Sequence, residues 1–168
     1  KILIEAINLK KSYKNLNGSI PLFDNFNVKI KEGELVALVG PSGSGKSSLI
    51  HLLALLDEPS SGKIIINNQK TNVFSDYQKD ELRRKTISII FQDNNLLSDF
   101  TTIENVMMPL IIRGEKGFKT LEKAKKILKD VKILERSNHF PNELSGGEQQ
   151  RVAIARALIA ETKIILAD

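Results

Sequence analysis

The run Gly40-Pro41-Ser42-Gly43-Ser44-Gly45-Lys46-Ser47 constrains this chain more than any other feature. It fits G-x-x-x-x-G-K-[ST] at every fixed position, after five apolar residues (Leu35-Val36-Ala37-Leu38-Val39) and before a helix-forming stretch, residues 46–56. Glycines let the backbone curl so that successive N–H groups face inward around a phosphate, and a helix start adds partial positive charge there. Lys46 can reach the β- and γ-phosphates of a nucleotide, and the Ser47 hydroxyl can coordinate Mg²⁺. Bounded by Gly33 and Gly40, residues 35–39 predict a central strand buried on both faces.

The rest of the chain supplies the setting for that loop. Its 168 residues, 41% hydrophobic and 27% charged, have the composition of a folded chain and favour one domain with room for a small subdomain. The absence of Cys excludes disulfides, thiolate metal sites and a cysteine nucleophile. No apolar run approaches the ~20 residues that cross a bilayer, so any membrane role is exercised through a partner or at a surface. The net charge of +5 is mild; with 5% aromatics it reads as a solvated lysine-rich face, and no nucleic-acid partner is expected.

Apolar patterning predicts strands over residues 2–8, 25–30, 63–66, 86–91 and 163–167, with a hairpin-type loop at 15–19. Capping-box spacings at Ser75–Gln78 and Thr101–Glu104 predict two helix starts, the second opening an apolar segment that runs to Ile112. Leu121, Ala124, Leu128 and Val131 recur at helical spacing, with Glu122 and Lys126 placed to pair on the outside. A further helix starts at Ser145 and presents Val152, Ala155, Leu158 and Ile159 on one side. The expected fold is α/β: a mostly parallel core over residues 1–92 and 151–168 with an antiparallel β layer, and a helical subdomain over 93–150. The last apolar strand ends in Asp168, which places a carboxylate at the carboxyl edge of the sheet, where Mg²⁺ needs an anionic ligand.

The segment Leu144-Ser145-Gly146-Gly147-Glu148-Gln149-Gln150-Arg151 resembles the signature of ATP-binding-cassette (ABC) ATPases. Ser145 with Glu148 is also a capping box, and both readings hold together: two glycines behind the cap leave the helix start bare, so that Ser145 and the Gly147 N–H can face an outside anion. The resemblance covers essentially the whole chain and implies a P-loop ABC fold. It implies ATP and Mg²⁺ as ligands, with residues 40–48, Ser48 included, around the nucleotide and Tyr13 stacked on adenine. Gln92 matches the Q-loop glutamine, which touches Mg²⁺ or the attacking water; Ser47, Gln92 and Asp168 are the implied metal contacts. Lys46, Gln92, Ser145 and Gly147 are the implied catalytic set, the last two acting on the γ-phosphate held by a second copy in a head-to-tail ATP sandwich.

Phe91-Gln92, Leu96-Leu97, Glu104-Asn105-Val106, Pro109-Leu110 and the run Glu148-Gln149-Gln150-Arg151 look like the ABC branch that serves lipoprotein release and macrolide-type efflux. That resemblance implies an ATPase peripheral to the cytoplasmic face of a bacterial inner membrane, working with transmembrane permease subunits to release lipoproteins. Macrolide efflux and the regulatory cassettes of cell division are the alternatives. The family places a general-base glutamate directly after the residue matching Asp168, with a D-loop and a switch histidine beyond it. The chain as given stops at Asp168, which predicts a C-terminally truncated cassette that binds ATP without hydrolysing it. His51 and His139 read as structural.

Overall fold

The computed structural model describes residues 1–15 and 18–168, which divide into two compact units, Lys1–Lys85 and Thr86–Asp168. In the first unit, β1 (Ile2–Asn15) pairs antiparallel with β2 (Gly18–Lys31) through Ala6↔Val28 and Tyr13↔Ile20. Both strands run longer than their apolar alternation predicts, because ladder hydrogen bonds continue through the polar ends. The middle of the expected 15–19 loop, residues 16 and 17, lies outside the described residues. On its other edge β1 takes β3 (Ser61–Ile66), and β3 takes the two-residue β4 (Gln69–Lys70), giving the order β2-β1-β3-β4. This is the antiparallel layer.

Helix α1 (Lys46–Leu53) buries Leu49, Ile50, Leu52 and Leu53, and the sheet buries Ile4, Leu9, Ile64 and Ile66. Helix α2 (Asp76–Thr86) starts as its spacing predicts: the Ser75 N–H donates to Gln78 Oε1 (2.9 Å) and the Gln78 N–H to Ser75 Oγ (3.4 Å).

Residues 35–39 depart from the expectation of a central strand. Among the described residues neither sheet includes them, Leu35 is fully exposed and Val39 is 85% exposed. The run has the composition of a buried strand, but a strand is completed by hydrogen-bonding neighbours that composition does not supply.

In the second unit, β5 (Ile87–Ile90) and β6 (Ile164–Ala167) pair in parallel, Ile87 on Ile164 and Ile90 on Ala167. Helices α3 (Thr102–Ile112), α4 (Phe118–Asp130) and α5 (Gly146–Ile159) share a core that includes Val106, Leu110, Ala124, Leu128, Val152 and Ile159. The face of α5 differs from the sequence pattern. Leu158 is 40% exposed, while Ala153 and Ala157 are buried. Small side chains permit closer approach, so the alanines take the inner positions. On α4, Glu122 pairs with Lys125 (3.2 Å), one position short of the expected Lys126. Asn105 is fully buried: its Nδ2 donates to the carbonyls of Leu97 (3.0 Å) and Phe100 (2.9 Å), and its Oδ1 accepts from the Leu97 N–H (2.8 Å), which ties the preceding turn to α3.

Candidate functional site

In the first unit the glycine-rich run forms the turn into α1. The Ser44 N–H donates to the Pro41 carbonyl (3.3 Å), and the Leu49 N–H donates to Gly45 (2.8 Å), which opens the helical ladder. Gly45 has φ 89°, and a Cβ there would stand 3.2 Å from the Phe23 ring and 3.3 Å from Leu22 Cβ on β2. At Gly40 a Cβ would come 3.0 Å from Ser44 Oγ. The loop enters the helix through Gly43 (φ 78°) and Gly45, both in the left-handed region that glycine favours, and so curls into the hollow backbone shape that a phosphate fits; at Gly45 a side chain would also crowd β2. No side chain caps α1. Lys46 folds back over the hollow, its ammonium donating to the carbonyls of Gly40 (2.9 Å) and Pro41 (2.7 Å). Pro41, Ser42, Gly43, Ser44 and Ser47 are exposed around it. The Tyr13 hydroxyl lies 3.4 Å from Ser48 Oγ, so the aromatic ring named in the sequence stands against the helix that the loop begins.

That ring has a support that sequence reasoning missed. Lys11, two residues earlier on the same face of β1, is buried; its ammonium reaches Asp57 Oδ2 (2.6 Å) and the Glu58 carbonyl (2.8 Å), and lies 5.0 Å from the Tyr13 ring centroid. Burial opposes ionisation of Asp57, but hydrogen bonds from Lys11 and the Glu58 N–H outweigh it and hold the carboxyl below its ordinary value.

The second unit holds the other named residues. The Asp168 N–H donates to the Ile90 carbonyl (3.0 Å), so Asp168 and Gln92 both follow the carboxyl ends of the paired strands β5 and β6. Arg156 on α5 donates to the carbonyls of Asn94 (2.6 Å) and Asn95 (2.7 Å), clamping the turn beyond Gln92, whose Asn94 and Asn95 both have positive φ. Burial pulls the Arg156 guanidinium below its ordinary value. The signal for this residue was an arginine set between Ala155 and Ala157 on the apolar half of α5.

At the start of α5 the Ser145 N–H donates to Glu148 Oε2 (2.8 Å) and the Glu148 N–H to Ser145 Oγ (3.3 Å), the capping box read from the sequence. Ser145 Oγ accepts from the Glu148 N–H in this box while its hydroxyl proton faces the Glu148 carboxylate, from which it can turn to an anion brought to the helix start. Arg136 Nε donates to Glu148 Oε1 (3.2 Å), and Arg136 Nη1 lies 3.2 Å from His139 Nε2. The helix start opens on a cavity of about 630 Å³ lined by Ser145, Gly147, Glu148, Arg136, Lys132 and Arg151. A Cβ at Gly146 or Gly147 would meet nothing within 4 Å, so packing inside this chain requires neither glycine.

The Ser145 N–H, the Ser145 hydroxyl and Arg136 together hold the Glu148 carboxyl below its ordinary 4.5, and Thr101 does the same for Glu104 at the start of α3. A carboxyl with a depressed folded-state pKa stabilises the fold above the unfolded value and loses that contribution as pH falls through the folded one. Thermal unfolding followed by circular dichroism should therefore show falling stability below about pH 4.5. Glu104→Gln/Glu148→Gln should be less stable at pH 7 and lose less on acidification; an equal acid loss would remove these two carboxylates as a cause.

A family model described as ABC transporter matches residues 23–168. The chain belongs to the ABC transporter family. It is 47% identical over 163 residues to the lipoprotein-releasing system ATP-binding protein LolD of Rickettsia bellii (strain RML369-C), an alignment covering 96% of this chain and 71% of that protein. Two solved structures are 42% identical and cover 99% of this chain and 73% of their own. One is the dimeric post-hydrolysis state of the ATP-binding cassette MJ0796 bound to ADP and Pi, with TM-score 0.93; the other is dimeric MJ0796, a bacterial ABC transporter cassette, with TM-score 0.94. The fold expected from the motifs is thus the fold of this ABC ATPase domain. Among its described residues no helix is long and apolar enough to cross a membrane, and no group of three His, Asp or Glu could hold a metal ion by itself.

Proposed function

We propose that this ABC ATPase binds Mg-ATP on residues 40–48 and drives release of lipoproteins from the bacterial inner membrane, bound to transmembrane subunits at the cytoplasmic face. The observation that carries the nucleotide site is the curled loop with the Lys46 ammonium folded onto its carbonyls. Lys46 would move from those carbonyls to the β- and γ-phosphate oxygens and Tyr13 would carry the adenine; Ser47 of the first unit would hold Mg²⁺, and Gln92 and Asp168 are the contacts that the family resemblance implies from the second. Mg²⁺ supplies charge neutralisation of the phosphates. Among the described residues no group of three His, Asp or Glu could hold the ion by itself, so phosphate oxygens would complete its shell.

A second copy closes the site. Ser145 donates its hydroxyl proton, and Gly147 its N–H, to the γ-phosphate held by the partner. Support comes from the two glycines, at whose positions an added Cβ would meet nothing within 4 Å. The dimeric MJ0796 structures support the same reading. Each helix-terminus contact contributes only about 0.3–1 kcal/mol, so closure needs both nucleotides and a matching surface. Residues 93–150 form the helical subdomain that, with the Gln92 turn, carries closure to the membrane subunits. Lipoprotein release as the task rests on the similarity to LolD.

The test is ATP-dependent pairing, followed by light scattering after size exclusion. The chain should dimerise with ATP and Mg²⁺, and Gly147→Ala should weaken pairing by about tenfold while thermal stability holds or rises. Pairing unaffected by Gly147→Ala would overturn the shared site. Copurification with a lipoprotein-handling membrane subunit supports the task; copurification with a cell-wall hydrolase regulator overturns it.

A further inference from the structure

Lys11 is the one charged residue among the buried residues described, at 7% exposure. Burying an ammonium is costly unless it is paired, and a strand position of this kind could hold an apolar residue at no such cost. Its pairing is nonetheless specific: Asp57 at 2.6 Å and the Glu58 carbonyl at 2.8 Å fix the charge just beyond the end of α1. The same charge lies over Tyr13, 5.0 Å from the ring centroid. The ring is thus held on a face by Lys11 and at its tip by Ser48, and it stays 47% exposed.

We propose that Lys11 is the positioning residue for the nucleotide base: it clamps the Tyr13 ring and tunes the ring's open face for a purine. This rests on the reading of Tyr13 as the adenine platform. A cation attracts the negative π-face of an aromatic ring. Density drawn toward Lys11 leaves the opposite face less negative, which lowers the repulsion between two stacked π-clouds. Asp57 keeps the ammonium beneath the ring, so the ion pair on the far side of Tyr13 sets the base-dependent share of affinity. The triphosphate share, held by the loop and Lys46, does not pass through it.

The experiment separates the two shares with two probes, ATP and inorganic tripolyphosphate, each with Mg²⁺. Binding is read by calorimetry and by tyrosine emission. The chain has two Tyr and no Trp, so a Tyr77→Phe background leaves Tyr13 as its only Tyr. Lys11→Met should weaken ATP about 3- to 10-fold, between the exposed and the desolvated ends of what a cation–π contact contributes, and leave tripolyphosphate unchanged. Lys11→Arg should restore ATP affinity. Lys11→Met/Asp57→Asn, which leaves no orphaned carboxylate, should repeat the loss. In a Tyr13→Ala background Lys11→Met should have no further effect. Equal losses on both probes, no loss on ATP, or a loss that persists without Tyr13 would each overturn the proposal. If Tyr13→Ala leaves ATP affinity intact, the platform reading fails and the role of Lys11 with it; if Tyr13→Ala weakens ATP and Lys11→Met does not, only the role of Lys11 fails.

Discussion

Lys46→Ala should lower the affinity of this chain for Mg-ATP by about 10²- to 10³-fold and leave its thermal stability nearly unchanged. The two halves of that expectation come from one geometry. In the structure the ammonium donates to the Gly40 and Pro41 carbonyls, which belong to an exposed loop. Water replaces those partners at little cost, so the fold loses little when the side chain is cut back. Toward a triphosphate the same ammonium makes charge-assisted hydrogen bonds to two phosphate groups, each worth about 1.5–3 kcal/mol, which sums to roughly two to four decades of affinity, the expected loss taking the lower half of that range. No second cation stands on residues 40–48 to take over. Calorimetric titration with ATP and with tripolyphosphate checks both numbers, because the loss must appear on the base-free probe as well. ATP binding within threefold of wild type, or a large drop in melting temperature, would show that Lys46 serves the loop's own structure instead.

How much was legible in the sequence follows from how local each feature is. The glycine-rich loop and the capping boxes at Ser75, Thr101 and Ser145 are complete within a few residues, and the structure forms each where the spacing puts it. Residues 35–39 show the opposite case. Five apolar residues state a preference for burial, but the hydrogen-bonding neighbours of a strand are set elsewhere in the chain, and this segment remains outside both sheets. Lys11 was hidden for a different reason. A lysine in a polar stretch of strand reads as solvated, and only the turn after α1, more than forty residues on, brings Asp57 to it and buries the lysine. Arg156 likewise acquires meaning from carbonyls some sixty residues before it. Arg136 caps nothing by spacing, yet it holds the carboxylate that holds Ser145. The motifs that name candidate site residues were local enough to read, and Lys11, Arg156 and Arg136, which hold their surroundings, were not.

Gly62 carries the largest stability effect and shows the same division. In sequence it closes a Pro-Ser-Ser-Gly turn, which asks for flexibility and nothing more. In the structure it has φ +96°, and a Cβ would lie 2.4 Å from the Asn8 carbonyl oxygen and 2.7 Å from Leu9 Cα, all of it backbone. The cause is a bulge. Ser61 pairs with Lys10 and Lys63 with Ile7, so Asn8 and Leu9 of β1 together face Gly62 alone. Gly62→Ala must push apart two strands that meet over Leu9, a fully buried side chain, and must also place a Cβ in a region of φ that only glycine tolerates. Left-handed strain alone costs about 1–2 kcal/mol, and displacing the packed strand adds about 1–3 kcal/mol. Against a total stability of about 5–15 kcal/mol, melting should fall by about 10 °C. Gly33→Ala is the control, since Gly33 has φ +80° but open space around a Cβ; it should show the strain without the clash. The damage should also reach the nucleotide. The bulge delivers β1 into Lys11 and Tyr13, and the Ser60 N–H bonded to the Lys10 carbonyl at 2.8 Å fixes that exit. At a temperature where Gly62→Ala is still folded, ATP should bind more weakly while tripolyphosphate binds as before. A variant that melts within 2 °C of wild type would refute the bulge as a fixed element, since a movable strand would have absorbed the extra carbon.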